Sequence, residues 1–132
     1  MKKILIVDDD EGILDALKAA IEMEGYQVTT LSSGILLTNK VREFQPDLIL
    51  IDLLLAGRDS SELVQAMKKN PETASVPIIM LSAHPEAAKK AKDSAADDFI
   101  AKPFDLHHLF ATIKKHLKEW SFIPNDICAP LK

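Results

Sequence analysis

Residues 4–10 read Ile-Leu-Ile-Val-Asp-Asp-Asp, an apolar run that ends abruptly in three carboxylates. Four consecutive apolar residues, most of them β-branched, predict a β-strand that is buried on both faces. The pattern returns at residues 48–52, which read Leu-Ile-Leu-Ile-Asp. Strands of this kind belong to parallel sheets that are covered by helices on both sides, so the two stretches indicate an α/β fold.

Strand and helix signals alternate along the rest of the chain. Further strands are predicted at residues 26–31, 76–81 and 99–101, and each predicted strand is followed by a segment with helical spacing or propensity. Five strand–helix pairs predict a doubly wound, three-layer (βα)5 domain with a parallel sheet. We expect this domain to cover residues 1–120, with a tail or the start of a linker over residues 121–132.

The composition excludes several classes of protein. A chain of 132 residues has the length of one domain, and its four glycines are not spaced as in a dinucleotide-binding or Walker loop. The net charge of −4 gives no general attraction to nucleic acids or to an anionic membrane. The single cysteine, Cys128, excludes an internal disulfide. No apolar run reaches the length of a signal peptide or a membrane span, so we expect a cytoplasmic protein.

Polar side chains follow the predicted strands where each strand ends. Asp8 and Asp9 follow the first, Asp52 the third, Ser82 the fourth and Lys102 the fifth. Because the carboxyl ends of parallel strands lie at one edge of a sheet, we expect these residues to meet there.

The residue types at this edge favour phosphoryl chemistry. Neighbouring carboxylates repel one another and remain ionised only beside a cation. With oxygen ligands alone, Mg²⁺ is the expected ion, and Mn²⁺ is the alternative. Lys102 and Ser82 offer a charge and a hydroxyl to phosphate oxygens, and an aspartate can attack phosphorus to form an acyl phosphate. The residues therefore predict a magnesium-dependent phosphoryl acceptor.

Four stretches together resemble the response-regulator receiver domain of two-component signalling. They are KKILIVDDD (residues 2–10), PDLILIDLLLAG (46–57), VPIIMLSA (76–83) and DDFIAKPF (97–104). The resemblance covers residues 2–120 and implies the flavodoxin-like strand order 2-1-3-4-5. Ser60 and Ala95 stand where this family usually has glycine, and Ser82 stands where threonine is more common.

The resemblance implies a role for each residue at the edge. Asp52 would be the phosphorylated aspartate and a metal ligand. Asp9 would bind Mg²⁺ directly, Asp8 mainly through water, and the backbone carbonyl of Leu54 would complete the protein ligands.

Three further residues carry implied roles in the response to phosphorylation. Ser82 would supply the hydroxyl that moves onto the phosphoryl group, Lys102 would bind the phosphate, and Phe99 would be the aromatic switch. The Lys102–Pro103 peptide bond would be cis.

The resemblance also implies partners. A sensor histidine kinase or a histidine phosphotransfer protein would phosphorylate Asp52. The surface formed by the fourth helix, fifth strand and fifth helix would then act on an unknown output protein or a C-terminal effector domain, and by analogy it would support a homodimer. The domain would be a signalling phosphoacceptor with slow autodephosphorylation rather than an enzyme, without direct contact to nucleic acid or membrane.

Other interpretations stay open. A phosphohydrolase with an aspartyl-phosphate intermediate would need a second acid at position 54, which is leucine. A flavodoxin-like nucleotide binder or an inactive receiver used as a scaffold is a third class, which a Mg²⁺ titration would separate. Away from the strand ends, we expect Asp10 to cap a helix, Asp98 to be a solvated loop acid and His116 to be exposed.

Overall fold

The computed structural model describes residues 1–55, 57–83 and 86–118. The predicted tail over residues 121–132 lies outside them. Seven strands are formed: β1 Lys3–Val7, β2 Gln27–Leu31, β3 Leu48–Asp52, β4 Leu54–Leu55, β5 Arg58–Asp59, β6 Ile78–Ser82 and β7 Asp98–Ala101. The helices are α1 Glu11–Met23, α2 Leu37–Phe44, α3 Ser61–Lys69, α4 Ala87–Asp93 and α5 Leu106–Leu117. None of these helices is long and apolar enough, within the described residues, to cross a membrane.

Five of the strands form one parallel sheet in the order β2-β1-β3-β6-β7. Since β6 and β7 are the fourth and fifth strands of this sheet along the chain, the predicted order 2-1-3-4-5 is confirmed. Strands β2 and β7 are its two edges.

The core consists of one apolar layer on each face of the sheet. Successive strand residues point to opposite faces, so Ile4 and Ile6 pack on one side while Leu5 and Val7 pack on the other. The first layer receives buried residues of α1 and α5, and the second receives those of α2, α3 and α4. The predicted three-layer arrangement is therefore confirmed.

Capping residues define both ends of the first helix. The Asp10 carboxylate accepts hydrogen bonds from the backbone N–H groups of Gly12 and Ile13, at 2.9 and 3.2 Å, and so confirms the predicted cap. At the other end Gly25 adopts a φ of +96°, a conformation that glycine enters without a steric penalty.

A small antiparallel hairpin follows β3 where the sequence predicted only a loop. Leu54 pairs with Asp59 and Leu55 with Arg58, and Gly57 in the turn has a φ of +78°. Strands of two residues are too short to produce an alternating pattern, which is why periodicity does not reveal them.

The turn before β7 carries a residue in an unfavourable backbone conformation. Ala95 has a φ of +68°, in the left-handed region, which costs about 1–2 kcal/mol for a residue with a Cβ atom. The family's usual glycine at this position avoids that cost.

We expect Ala95→Gly to stabilise the domain by about 0.5–1 kcal/mol, because relief of the left-handed conformation exceeds the entropy that glycine loses on folding. Ala19→Gly, at an exposed position inside α1, is the matched control and should destabilise by a similar amount. Urea denaturation measures both changes. A destabilised Ala95→Gly variant would contradict the strain at this turn.

Candidate functional site

Four strands deliver polar groups to the carboxyl-terminal edge of the sheet, which runs across the strand ends and is distinct from the edge strands β2 and β7. Strands β1, β3, β6 and β7 are parallel, so their carboxyl ends lie together. Asp8 follows β1, Asp52 and Ser82 are the last residues of β3 and β6, and Lys102 follows β7. The sheet thus collects residues that are up to 94 positions apart in sequence.

The ammonium group of Lys102 lies between two carboxylates at this edge. Its Nζ is 2.7 Å from Oδ2 of Asp52 and 3.3 Å from Oδ2 of Asp8. Its backbone N–H donates to the carbonyl of Ser82 at 2.8 Å, which continues the pairing of β6 with β7 by one residue. The adjoining Lys102–Pro103 peptide bond is cis, as expected.

The carboxyl group of Asp8 is buried, with 1% of the residue exposed. Burial raises its pKa, and this effect together with the neighbouring Asp52 outweighs the opposing hydrogen bond from the Asp10 N–H and the charge of Lys102. Burial acts on Lys102 in the opposite sense, but the hydrogen bond and charge of Asp52, with Asp8, hold its pKa above the usual value. Lys102 therefore remains an ammonium ion at neutral pH.

The carboxylate of Asp52 is held from two sides. Oδ1 accepts the backbone N–H of Leu54 at 2.9 Å, and Oδ2 accepts the Lys102 ammonium. An aspartate that bonds the N–H two residues ahead is a common turn motif, and here it fixes the orientation of the side chain.

The other predicted residues occupy different surroundings. Ser82 is 3% exposed, whereas Asp9 is exposed on the loop after β1. Leu54 is 45% exposed. Phe99 on β7 is partly buried against the apolar layer that includes Ala91 of α4.

The donor set fits a hard divalent cation. Two carboxylates beside one ammonium leave a net negative charge at a partly buried edge, and Asp9 adds a third carboxylate to the same loop. Across residues 1–55, 57–83 and 86–118, no three acidic, histidine or cysteine side chains form a ready-made metal cluster. Mg²⁺ does not require one, because it is usually held by one or two carboxylates together with water.

The comparison with known proteins agrees with this geometry. The profile of the response regulator receiver domain matches residues 4–114. The chain belongs to this family. It is 36% identical, over 94% of its length, to the DNA-binding dual master transcriptional regulator RpaA of Synechocystis sp., and 35% identical, over 89%, to the phosphate regulon transcriptional regulatory protein PhoB of Rhizobium meliloti.

A solved structure has nearly the same extent as the receiver domain. The chemotaxis response regulator CheY4 of Vibrio cholerae superposes with a TM-score of 0.79 at 27% identity, covering 88% of this chain and 98% of CheY4. In contrast, this chain spans only about half the length of RpaA and PhoB, 52% and 53%.

One buried residue beside Asp52 was not recognised from the sequence. Ser60 is 4% exposed, and its hydroxyl donates to the backbone carbonyl of Asp52 at 2.7 Å. The only signal in the sequence was a serine in place of the family's usual glycine. The contact spans eight residues and depends on the unpredicted hairpin.

The expectations for Asp98 and His116 were wrong. His116 Nε2 lies 2.8 Å from Oδ2 of Asp98, and both side chains are partly buried, 17% and 30% exposed. Oδ1 of Asp98 accepts the N–H of Phe99 at 2.8 Å. Burial raises the pKa of Asp98, but the hydrogen bonds from His116 and Phe99, with the nearby Lys115, outweigh it and hold the pKa below 3.8. A helical wheel places His116 toward solvent because it does not show the strand that α5 covers.

The lowered pKa of Asp98 predicts a pH-dependent contribution to stability. This contribution is fully present above 3.8, the unfolded value, and is lost as the pH falls through the lower folded value. Asp98→Asn should therefore melt below the wild type at neutral pH and approach it in acid. Asp15→Asn, at an exposed site on α1, is the control and should differ little from the wild type at any pH. A pH-independent difference for Asp98→Asn would contradict the lowered pKa of Asp98.

The buried charge of Asp8 predicts that its removal stabilises the domain in metal-free buffer, in contrast to the removal of the Asp98 charge. Asp8→Asn keeps the acceptor for the Asp10 N–H but removes a carboxylate that burial and Asp52 disfavour, so its thermal midpoint should rise. Mg²⁺ should stabilise the wild type, by about 2.7 kcal/mol at one hundred times its dissociation constant, and the variant much less. Calorimetry with and without Mg²⁺ tests this, again with Asp15→Asn as control. If Mg²⁺ stabilises Asp8→Asn and the wild type equally, Asp8 is not part of a Mg²⁺ site at this edge.

Proposed function

We propose that Asp52 accepts a phosphoryl group from the phosphohistidine of a sensor histidine kinase or a histidine phosphotransfer protein. The observation that carries the proposal is the placement of Asp52 at the sheet edge, with its carboxylate bonded to the Leu54 N–H and to the Lys102 ammonium. Among the predicted strand-end acids, Asp52 combines such a fixed orientation with partial exposure, at 14% of its side chain, whereas Asp8 is almost completely buried.

The transfer exchanges one bond to phosphorus for another. A carboxylate oxygen of Asp52 attacks phosphorus, a P–O bond forms, and the P–N bond to the donor imidazole breaks. The leaving nitrogen keeps the electron pair of that bond and takes up a proton. Lys102 stabilises the negative charge on the phosphoryl oxygens, as fixed cations do in phosphoryl transfer.

The proposed Mg²⁺ ligands are Asp8, Asp9, Asp52 and the backbone carbonyl of Leu54, with Mn²⁺ as an alternative ion. When bound, the ion would neutralise charge on the transferred group, which Lys102 alone cannot balance. Asp8 contributes through its buried negative charge, and Asp9 is positioned on the exposed side of the same loop.

The phosphorylated state would redirect the polar groups of the edge. The phosphoryl group adds about −1.5 to −2 charges and strong acceptor oxygens beside Lys102 and Ser82. Lys102 would exchange part of its contact with Asp8 for the phosphoryl oxygens, and the Ser82 hydroxyl would donate to them. Phe99 would repack against α4, and the surface of α4, β7 and α5 would change its affinity for a partner.

The output of this switch is a separate question. RpaA and PhoB carry transcriptional roles in their names, and a chain matching half of each is consistent with an N-terminal receiver that controls an effector domain. The match to CheY4 extends over 98% of that protein, and it is equally consistent with a receiver that acts on a separate output protein. A homodimer through α4 and α5 and the cytoplasmic location stay predictions.

A turnover enzyme is the less favoured function. A phosphohydrolase that uses an aspartyl phosphate would need a second acid two residues after its nucleophile, where this chain has the partly exposed side chain of Leu54. We therefore propose that the receiver domain assists its own phosphorylation and slow dephosphorylation, and does not process a separate substrate.

We expect the purified chain to gain one phosphoryl group from acetyl phosphate in the presence of Mg²⁺, and Asp52→Asn to gain none, because the amide cannot form the acyl phosphate. Asp59→Asn, which changes an exposed acid on the neighbouring hairpin, should still be phosphorylated. Intact-mass spectrometry with peptide mapping reads out the adduct, and chelation of Mg²⁺ should abolish it. An adduct on another residue would refute the assignment of Asp52.

A further inference from the structure

We propose that Ser60 is a positioning residue for phosphoryl transfer to Asp52. Its hydroxyl fixes the backbone from which the phosphoacceptor carboxylate projects. The inference rests on the proposed function of Asp52. It adds Ser60 to the site, on the strength of the hydrogen bonds that Ser60 makes.

Ser60 clamps two successive carbonyl groups. Its Oγ donates to the carbonyl of Asp52 at 2.7 Å, and its backbone N–H donates to the carbonyl of Leu53 at 2.6 Å. Both bonds are short, and Ser60 is 4% exposed, so water does not compete effectively with them. The clamp closes the loop that contains the β4–β5 hairpin directly onto the end of β3.

The position of Ser60 makes this use of the hydroxyl unusual. Ser60 immediately precedes α3, where a serine side chain commonly accepts a hydrogen bond from the first turn of the helix. Here it makes no capping bond, and its φ and ψ of −84° and 5° are not the extended values of a capping residue. Instead, the Ser61 N–H donates a hydrogen bond to Oδ1 of Asp59 at 2.7 Å. The hydroxyl therefore serves the loop after Asp52 rather than the helix that follows it.

The clamp acts on the carboxylate through the intervening backbone. Oδ1 of Asp52 accepts the N–H of Leu54, whose position is set by the Leu53 carbonyl and by the hairpin pairing of Leu54 with Asp59. If the Ser60 hydroxyl is lost, the Asp52 carbonyl loses this partner while the Ser60 N–H bond to Leu53 remains, so the backbone at Asp52 gains freedom and the carboxylate loses part of its fixed orientation. Small misplacements of a reacting group reduce transfer rates strongly, because the attacking oxygen must line up with the leaving group.

The test compares the phosphorylation kinetics of Ser60→Ala and Ser60→Thr with those of the wild type. Acetyl phosphate is the donor at saturating Mg²⁺, and the rate constant is taken from the initial rate, before dephosphorylation contributes. We expect Ser60→Ala to react about three- to tenfold more slowly, the factor that corresponds to one lost hydrogen bond. Ser60→Thr retains the hydroxyl and should recover most of the rate.

The matched control is Thr73→Val, far from Asp52. The Thr73 hydroxyl is also buried, and it donates to the backbone carbonyl of Met67 at 2.6 Å. Thr73 lies in the segment that precedes β6, and therefore on the side of the sheet where the strands begin. Both Ser60→Ala and Thr73→Val should lower the thermal midpoint, but only Ser60→Ala should slow phosphorylation. This separates positioning from a general loss of stability.

Each outcome decides the proposal. A normal rate in Ser60→Ala, or an equal loss of rate in Thr73→Val, overturns the positioning role, and so does failure of Ser60→Thr to recover the rate. If Ser60→Ala shows no cooperative melting transition, Ser60→Cys replaces it under the same criteria. A wild-type chain that is not phosphorylated on Asp52 refutes the proposed function itself, which is distinct from a phosphorylated wild type whose rate is insensitive to Ser60.

Discussion

The arrangement of the site depends on one ammonium group between two carboxylates. Asp8 and Asp52 end neighbouring strands, and without a cation their charges would oppose the close pairing of β1 with β3. Lys102 supplies that cation from a strand at the sheet edge, at 2.7 and 3.3 Å from the two carboxylates. The contact therefore joins the carboxyl ends of β1, β3 and β7, and the two carboxylates still leave a net negative charge beside the single ammonium group.

The parallel sheet provides the rigid support for this contact. The central strands β1, β3 and β6 are buried on both faces, and a slip of one residue would move each side chain into the opposite apolar layer and break the packing of both layers. The polar residues are placed only where the apolar runs stop, so the site lies at the surface while its backbone belongs to the core. Rigidity at the base and partial exposure at the edge both suit the proposed transfer of a phosphoryl group to Asp52.

The sequence was sufficient for the layered α/β class and for the strand-end residues, because both follow from patterns within single segments, whereas the strand order was implied by the resemblance to the receiver family. Buried runs gave β1 and β3, and their terminal aspartates could be located directly. Contacts between distant segments away from the strand ends could not be derived in this way. The Ser60 hydroxyl reaches Asp52 only because a hairpin of two-residue strands folds back, and His116 meets Asp98 only because α5 covers β7. Such pairs depend on tertiary packing, which single-segment patterns do not encode.

The edge strand β7 has a consequence for how two copies of this domain can associate. An open sheet edge offers unpaired backbone groups that could extend the sheet into a neighbouring molecule. Here β7 has only four residues, Asp97 and Asp98 place charges at its start, and Pro103 soon after its end cannot donate to a ladder. Self-association by strand pairing at β7 is thereby disfavoured, and contacts between copies on this side of the sheet are left to the side chains of the flanking helices. Recognition can then respond to side-chain rearrangement without the risk of aggregation through strand pairing.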